Sequence, residues 1–337
     1  LAERLSGAAA AEAAAPAPHS APAAAPRVAL GEGVFATVDD AVAAAGVAFR
    51  EFDGMSLEGR QTIIAAIRES MLENAAELAR LAHQETGLGR VEHKVIKNRL
   101  VTRKTSGTEV LTAQAVTGDN GLTLTEYAPY GVIGTITPTT NPTSTIICNT
   151  IAMLSAGNSI VFNVHPNARD CSMQNVRLLH RAIVAAGGPE NLITAVAEPT
   201  IESAQALMTH KGVRILAVTG GSGVVRQAMT SGKRAICAGP GNPPVVVDTT
   251  ADLELAGWGI VAGASFDNNI VCTDEKEVIA VEGVAGKLIE SMRQNGAYIL
   301  SERELRQVET AVFSEQRGPR KHAVVTKDLI GKNAGDI

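Results

Sequence analysis

The sequence predicts an α/β protein built on a doubly wound parallel sheet, and two observations support that prediction. Hydrophobic residues make up 45% of the 337 residues, whereas aromatic residues make up only 3%. Small apolar side chains suit closely packed layers of helix and sheet better than an all-β sandwich. From residue 132 onward, short apolar runs alternate with helical segments of about 10–15 residues, as in βαβ units. Such sheets bind ligands at the carboxyl ends of their strands.

The first 127 residues divide into an extension and a helical region. Residues 7–26 are nearly all Ala and Pro, which predicts a flexible linker within an extension that covers residues 1–33. Apolar residues at helical spacing predict helices between residues 39 and 86, with Ser56 as an N-cap and Gly87 as a stop signal. Residues 117–127 alternate apolar and polar side chains and are predicted to be extended.

The α/β region follows, and the pattern of predicted strands and helices changes after Gly239. Before that glycine, strands are predicted at residues 132–137, 159–164, 192–196 and 213–218, and helices at 142–157, 173–186, 203–208 and 224–231. Pro142 at a first helical position supports the first of these helices. After Gly239, strands are predicted at 245–248 and 278–281, and helices at 253–264, 284–294 and 301–312. We therefore expect a second lobe to begin near Pro240.

Charge and cysteine usage exclude several classes of protein. The net charge is −5 without acidic clusters, which argues against a nucleic-acid surface. No apolar run reaches the roughly 18–20 residues that cross a bilayer, and no secretory signal is present. Cys148, Cys171, Cys237 and Cys272 lack metal-site or disulfide spacing, so free thiols are expected and no metal is predicted. The chain starts at Leu1 without Met and lacks a closing element, which suggests a fragment.

A glycine-rich turn is the first candidate for chemistry. Thr219-Gly220-Gly221-Ser222-Gly223 joins a predicted strand to a predicted helix. Glycines let the backbone approach a phosphate, and a helix N-terminus offers free N–H groups. The turn lacks the full G-x-G-x-x-G pattern, and ordinary glycine turns are common in α/β proteins. It is therefore a weak signal by itself.

Three polar residues at predicted junctions are further candidates, and each has an ordinary structural interpretation. Cys272 lies between a helix and a strand, where it is either an exposed nucleophile or a small buried apolar residue. Asn141 precedes Pro142 and is either an N-cap or an amide donor to an oxyanion. His165 follows a strand end, where an ordinary surface turn histidine is favoured. Cys148 and Cys237 lie in apolar segments and fit the buried interpretation.

Several segments together resemble the aldehyde dehydrogenase superfamily, and within it the CoA-acylating acetaldehyde and propionaldehyde dehydrogenases of bacterial microcompartments. The resemblance covers roughly residues 34–337. Its motifs are Tyr127-Ala128-Pro129-Tyr130-Gly131-Val132-Ile133-Gly134, Pro138-Thr139-Thr140-Asn141-Pro142-Thr143, Asn163-Val164-His165-Pro166 and Ser265-Phe266-Asp267-Asn268-Asn269. The joint match is specific, although no single motif is.

The resemblance implies roles at matching positions. Cys272 matches the catalytic cysteine and Asn141 the oxyanion-hole asparagine. Residues 34–239 match an NAD-binding domain and residues 240–337 part of a catalytic domain. The implied cofactor contacts are Thr137, Pro138 and Thr139 beside the nicotinamide ribose, Thr219, Gly220, Gly221 and Ser222 at the pyrophosphate, and Gly239. Asn163 replaces a lysine that holds the adenosine ribose in hydrolytic members, and His165 and Pro166 are the expected alternative surface.

The most informative departure from the hydrolytic relatives is Ala238. They carry at that position a glutamate that activates water against the thioester, and alanine cannot take a proton. General-base help is typically worth about 10²–10⁴-fold, whereas a CoA thiol attacks thioesters readily near neutral pH. The resemblance thus implies oxidation of a short aldehyde to acyl-CoA with NAD, in a ping-pong order. A hydrolytic aldehyde dehydrogenase and a non-catalytic cofactor-binding or cargo fragment are the alternatives.

The resemblance also implies partners and a location. In this branch an Ala/Pro-rich segment tethers a helical peptide that binds the compartment shell or other cargo, although residues 7–26 are also compatible with a tail that has no partner. Superfamily members have a further C-terminal stretch that completes the catalytic lobe and adds an oligomerisation strand. We therefore expect a homo-oligomer for the full-length protein and a cytoplasmic location inside a microcompartment.

Overall fold

The computed structural model describes residues 30–315 and 323–337. The predicted linker at residues 7–26 lies outside these ranges. The first described strand is β1 (Val34–Phe35), which agrees with folded structure from Val34.

Helices dominate the next seventy residues. They are α1 (Val38–Asp53), α2 (Leu57–Glu73), α3 (Ala75–Thr86) and α4 (Val91–Lys104). The Ser56 hydroxyl accepts a hydrogen bond from the Gly59 N–H at the start of α2, and Gly87 ends α3 in the left-handed conformation. Both local predictions are confirmed. Helix α4 was not predicted, because its sequence is polar and its apolar stripe is weak.

The prediction of extended structure at residues 117–127 is confirmed at residues 121–125, but this strand is one half of a hairpin. Its strands are β2 (Gln114–Gly118) and β3 (Gly121–Thr125), paired antiparallel. The prediction merged a turn with a strand and missed β2, because both strands are exposed and carry no buried face that would separate them from a loop.

Strands and helices then alternate as predicted. The elements are β4 (Val132–Ile136), α5 (Pro142–Ser155), β5 (Ser159–Asn163), α6 (Arg169–Ala185), β6 (Ile193–Val196), α7 (Ile201–Thr209), β7 (Ile215–Thr219), α8 (Ser222–Met229) and β8 (Arg234–Ala238). Strand β8 is the one addition to the predicted set. Its alternation of exposed and half-buried residues is that of an edge strand.

Strand β1 and the five strands β4 to β8 form one parallel sheet in the order β1-β6-β5-β4-β7-β8. Successive strands run outward from β4 through β5 to β6, and the chain then returns to the other side of β4 with β7 and β8. The direction of winding therefore reverses between β4 and β7. Ligand crevices of open α/β sheets lie at such a switch point, outside the carboxyl ends of the strands.

Two apolar clusters cover the two faces of this sheet. One joins α2, α5 and α6 to the sheet through side chains that include Ile63, Ile147 and Phe162. The other joins α1 and α7 through Val42, Leu207 and Leu216. The predicted α/β class with a parallel sheet is confirmed.

A smaller unit follows residue 240. It contains β9 (Pro244–Val247), α9 (Leu253–Ser265), β10 (Glu277–Ala280), α10 (Glu282–Gln294), α11 (Glu302–Val312), β11 (Phe313–Glu315) and β12 (Val324–Val325). Strands β9 and β10 pair parallel and share a separate small core built around Val247, Ile260 and Leu288. The boundary at residue 240 stays a proposal.

Candidate active site

A pocket of about 330 Å³ lies at the switch point between β4 and β7. It brings together segments that are far apart in the chain: the loop after β4, the turn after β7, the end of β8 and the loop before β10. The predicted site residues in its wall are Pro138, Thr139, Asn141, His165, Thr219, Gly220, Gly221, Gly239 and Cys272. The wall also contains residues to which no role was assigned, namely Thr140, Pro240, Gly241, Ile270, Val271 and Lys276.

Four predicted cofactor contacts do not line this pocket. Thr137 and Asn163 are buried, and the Asn163 side-chain oxygen accepts a hydrogen bond of 2.6 Å from the Ser203 hydroxyl. Pro166 and Ser222 are exposed and each follows a pocket residue in sequence. The contact of Asn163 with a ribose therefore stays a prediction.

Asn141 occupies the N-cap position of α5, yet its side chain makes no capping hydrogen bond. The side-chain oxygen instead accepts a bond of 2.6 Å from the Lys97 ammonium, and the amide nitrogen donates to the Thr140 hydroxyl at 3.2 Å. An amide nitrogen carries two hydrogens, and this bond uses one of them. The geometry thus argues against capping as the function of the side chain and leaves a donor at the pocket wall.

A buried ionic cluster lies behind Asn141 and was not predicted. Asp267 is completely buried, and its carboxylate accepts hydrogen bonds from Lys97 and Lys94, which are nearly as buried. The backbone N–H of Arg90 adds a third donor at 2.7 Å. Three donors offset much of the cost of burying the carboxylate.

Burial opposes the charged forms of Lys97 and Asp267, and the neighbouring charges shift each pKa further or back. Burial, with the neighbouring charge of Lys94, lowers the pKa of Lys97 to about 8 despite the attraction of Asp267. Burial also opposes ionisation of Asp267, but Lys97 and Lys94 hold its pKa below the ordinary aspartate value. Asp267 is therefore ionised at neutral pH, and Lys97 is charged over most of the neutral range.

The loop that carries Cys272 begins with an unusual backbone. Asp267, Asn268 and Asn269 have φ angles of 47°, 57° and 58°, a left-handed conformation that Asp and Asn tolerate better than most residues. The Asn269 amide donates to the backbone oxygens of Ala264 at 2.7 Å and Glu275 at 3.2 Å. The run of Asp and Asn is thus needed for the turn that delivers Cys272 to the pocket.

Cys272 itself is partly exposed in the turn between this loop and β10. A Cβ on Gly241 would lie 2.1 Å from the Cys272 carbonyl oxygen, so only glycine allows the two segments to approach. Nearby, the Asp274 carboxylate accepts from the Val271 N–H at 3.3 Å, and burial raises the pKa of Asp274 to about 6.

The other three cysteines do not line the pocket. Cys171 is buried, and burial raises the pKa of its thiol, which makes it unreactive. Cys148 and Cys237 are partly exposed rather than buried, so the prediction of buried thiols is wrong for both. Cys148 lies on α5 and Cys237 on β8, and location in the pocket wall is what distinguishes Cys272.

The opposite wall of the pocket is made of backbone. Strand β7 ends at Thr219, and the Gly220 N–H donates to the Ala238 carbonyl at 3.1 Å. Helix α8 starts at Ser222 and is eight residues long. A Cβ at Gly221 or Gly239 would meet no heavy atom within 4 Å, so both positions border open space. This wall fits a pyrophosphate, which glycine backbones and helix N-termini bind.

His165 borders the same pocket and has a local role as well. Its Nδ1 accepts a hydrogen bond from the Asn167 N–H at 3.1 Å. Burial lowers the pKa of the imidazole, so the ring is neutral at neutral pH. His165 is therefore both a turn histidine and a residue of the pocket wall.

Two broader features complete the description. In residues 30–315 and 323–337, none of the helices combines the length and apolarity that crossing a bilayer requires. Within the same ranges, no three His, Cys, Asp or Glu side chains are arranged to bind a metal ion.

Comparisons with known proteins show the family of this chain. The aldehyde dehydrogenase family matches residues 21–319. The acetylating acetaldehyde dehydrogenase of Escherichia coli is 49% identical over 308 residues, which are 90% of this chain and 65% of that protein. The CoA-propanoylating propanal dehydrogenase of Salmonella typhimurium is 43% identical over 303 residues, covering 90% of this chain and 64% of that protein.

A solved structure shows the same architecture. The propionaldehyde dehydrogenase of Rhodopseudomonas palustris, crystallised with bound CoA and an acylated cysteine, superposes with a TM-score of 0.84 at 47% identity. The match covers 90% of this chain and 69% of that one. This chain thus spans about two thirds of the length of its relatives, and it belongs to the aldehyde dehydrogenase family.

Proposed function

We propose that this protein is a CoA-acylating aldehyde dehydrogenase that oxidises acetaldehyde or propionaldehyde to the acyl-CoA with NAD. The observation that carries the proposal is one pocket in which a partly exposed cysteine and an amide donor lie together without a carboxylate. Cys272 and Asn141 both line it, and none of the described residues in its wall is Asp or Glu.

The reaction starts at Cys272. Its thiolate attacks the aldehyde carbon, and the carbonyl electron pair moves onto oxygen. The free N–H of the Asn141 amide donates to this oxyanion, together with the Cys272 backbone N–H. When the carbonyl re-forms, the hydrogen on carbon leaves as hydride and a thioester remains on Cys272. A dinucleotide bound along the glycine turn supplies the hydride acceptor.

The second half-reaction distinguishes acylating from hydrolytic members. The CoA thiolate attacks the thioester carbon, and the Cys272 thiolate leaves, so the acyl group is transferred and the nucleophile is restored. Ala238 lies in the pocket wall where a general base would be needed for water. Without one, water loses about 10²–10⁴-fold in rate, whereas a thiolate needs no base.

The relatives support this assignment of substrates and cofactors. Those at 43–49% identity are described as acetylating or CoA-propanoylating, and the structure from Rhodopseudomonas palustris holds CoA and an acylated cysteine. An engineered glycolyl-CoA reductase that is 48% identical to this chain binds NADP⁺. Use of NAD with contacts from Thr139, Gly221 and His165 is therefore our proposal, with NADP as the alternative dinucleotide.

The same comparison supports a location. A propionaldehyde dehydrogenase that is 44% identical comes from a fucose-utilisation microcompartment of Clostridium phytofermentans. We extend this to a cytoplasmic microcompartment for the present protein, with residues 1–33 as the segment that contacts shell or cargo. A homo-oligomeric full-length enzyme belongs to the same proposal.

An assay of NADH formation with and without CoA tests the function. Acetaldehyde, propionaldehyde and butyraldehyde are each supplied with NAD, and products are identified by mass spectrometry. We expect sustained NADH formation only with CoA, with acyl-CoA as product. Sustained formation without CoA, with free acid as product, would show a hydrolytic enzyme. No NADH with any aldehyde, in a protein that binds NAD, would show a non-catalytic chain.

A further inference from the structure

Lys97 contacts the one side chain on which the oxyanion depends. It lies on α4, and its Nζ reaches the Asn141 side-chain oxygen at 2.6 Å while also bonding to the Asp267 carboxylate. In the described parts of the chain, no other charged side chain forms a hydrogen bond with the Asn141 side chain. The lysine is buried, so solvent does not screen either interaction.

An ammonium group settles which way an asparagine amide faces. The amide has an acceptor oxygen and a donor nitrogen of nearly the same shape, and a half-turn exchanges them. An ammonium has three donors and no acceptor. An ammonium therefore favours only one orientation of the amide. In that orientation the oxygen faces Lys97 and the nitrogen faces away from it.

The cluster also ties together the two segments that must cooperate. Lys94, one helical turn before Lys97, donates to the Thr140 carbonyl at 3.4 Å and to Asp267 at 3.2 Å. Asp267 begins the loop that carries Cys272. The loop with the amide donor and the loop with the nucleophile are thus held by the same carboxylate through two lysines.

We propose that Lys97 is a positioning residue, whose ammonium group, anchored by Asp267, orients the Asn141 amide so that its nitrogen faces the reacting carbonyl. Lys97 acts through Asn141 and does not touch the substrate. This inference rests on the proposed function, because it assigns Asn141 to the oxyanion.

A double-mutant cycle measures whether Lys97 acts through Asn141. The readout is the rate constant of the NADH burst before CoA is added, in the wild type, Lys97→Met, Asn141→Ala and the double variant. We expect Lys97→Met to slow the burst by about 10-fold or more, less than the about 10²–10³-fold typical for loss of an oxyanion donor. In the Asn141→Ala background, Lys97→Met should lower the burst rate constant by no more than about twofold.

Lys94→Met is the matched control. It also removes a buried ammonium that contacts Asp267, but it leaves the bond between Lys97 and Asn141 in place. In the Lys94→Met, Asn141→Ala double variant, the fold-reduction of the burst rate constant should be the product of the reductions in the two single variants. The Lys97→Met variant is expected to fold, because Asp267 keeps Lys94 and the Arg90 N–H as partners. Equal, multiplicative effects of the two lysine variants would overturn the proposal.

The charge state of Lys97 gives a second test. Asp267 and Asp274 favour its charged form, whereas burial and Lys94 oppose it, so its pKa is about 8. Above that pH the neutral amine is also an acceptor and no longer fixes the amide. The ratio of the wild-type burst rate to that of Asn141→Ala should therefore fall as pH rises through about 8. A pH effect that is common to both proteins cancels in this ratio.

A third measurement does not depend on turnover. The side-chain amide resonance of Asn141, assigned by its loss in Asn141→Ala, is followed by NMR between pH 6 and pH 10, a range of about two units around the pKa of Lys97. We expect it to titrate in the wild type and not in Lys97→Met. A resonance that does not titrate would overturn the inference even in an active enzyme, whereas a titrating resonance in an inactive protein would refute the proposed function alone.

Discussion

The two walls of the pocket are built in different ways. The side-chain wall, which consists of Thr140 and Asn141 with Lys94, Lys97 and Asp267 behind them, is held by buried ionic hydrogen bonds. The glycine wall, which consists of Thr219, Gly220, Gly221 and Gly239, presents backbone and open space. One wall orients a single functional group, and the other provides room and N–H groups for a ligand.

This difference matches the two tasks of the proposed reaction. Stabilising an oxyanion needs a donor held within a few tenths of an ångström, which requires packed and hydrogen-bonded support. Binding a dinucleotide and then admitting CoA needs a surface that accepts more than one ligand. We therefore expect substitutions in the side-chain wall to change rate constants and substitutions in the glycine wall to change apparent affinities.

The largest effect is expected at Cys272, which follows the loop anchored by the side-chain wall. Cys272→Ala removes the nucleophile and should lower acyl-CoA formation by at least about 10⁴-fold. Cys148→Ala and Cys237→Ala are the controls and should keep most of the activity. Acyl-CoA formation is measured by mass spectrometry after incubation with propionaldehyde, NAD and CoA. Near-normal turnover in Cys272→Ala would refute the mechanism.

Asn141→Ala is expected to have the next largest effect. Loss of one oxyanion donor typically lowers kcat by about 10²–10³-fold. The side chain makes no capping bond, but its oxygen accepts from the buried Lys97 ammonium, so the free energy of unfolding should fall by about 1–3 kcal/mol. Steady-state kinetics and urea unfolding separate the two quantities. A destabilised variant with kcat intact would show that the Asn141 side chain has a structural role only.

The two walls also differ in how far the sequence predicted them. Most of the glycine wall is a contiguous turn between β7 and α8, and both elements were predicted from local patterns, whereas Gly239 follows β8, which was not predicted. In the side-chain wall, Lys97 and Asp267 are 170 positions apart. No local pattern relates two such residues, and α4 was not predicted at all. Asn141 was assigned only through the resemblance to a family.

Some of the missing information was present in the sequence. Strand β8 has alternating exposure, and Arg234-Ala235-Ile236-Cys237-Ala238 shows a partial period of two. The Asp267-Asn268-Asn269 run signals a left-handed turn, because these residues tolerate positive φ. By contrast, the exposed hairpin at β2 and β3 lacks a buried face, so its limits could not be read from hydrophobic periodicity.

The glycine wall gives the third prediction. Gly221→Ala adds a methyl group to open pocket space and should raise KM for NAD about 10-fold, with kcat and stability nearly unchanged. Gly220→Ala is the matched comparison, because its Cβ would lie 2.6 Å from the Val224 side chain. Overpacking there should cost about 1–3 kcal/mol of stability. A lower kcat with unchanged KM in Gly221→Ala would contradict the division of tasks between the walls.

The smallest effect is expected from placing a side chain in the wall that has almost none. Ala238→Glu puts a carboxylate beside Gly239, at the position that the resemblance matches to the general base of hydrolytic aldehyde dehydrogenases. Free acid should then rise relative to acyl-CoA, by about 10-fold at most and well short of the about 10²–10⁴-fold of an evolved general base. The gain is limited because a new carboxylate lacks a positioned water and a supporting hydrogen bond.

Ala238→Gln is the control, since it has the same size without a titratable group. The ratio of free acid to acyl-CoA is measured at fixed CoA, and the NADH burst reports whether acylation of Cys272 survives. Glu and Gln have the same size, so any obstruction of CoA should be similar in the two variants, and only the glutamate should raise hydrolysis. Equal ratios in the two variants, with acylation intact, would mean that the backbone wall excludes water by shape. The absence of a base at Ala238 would then not be what makes the enzyme acylating.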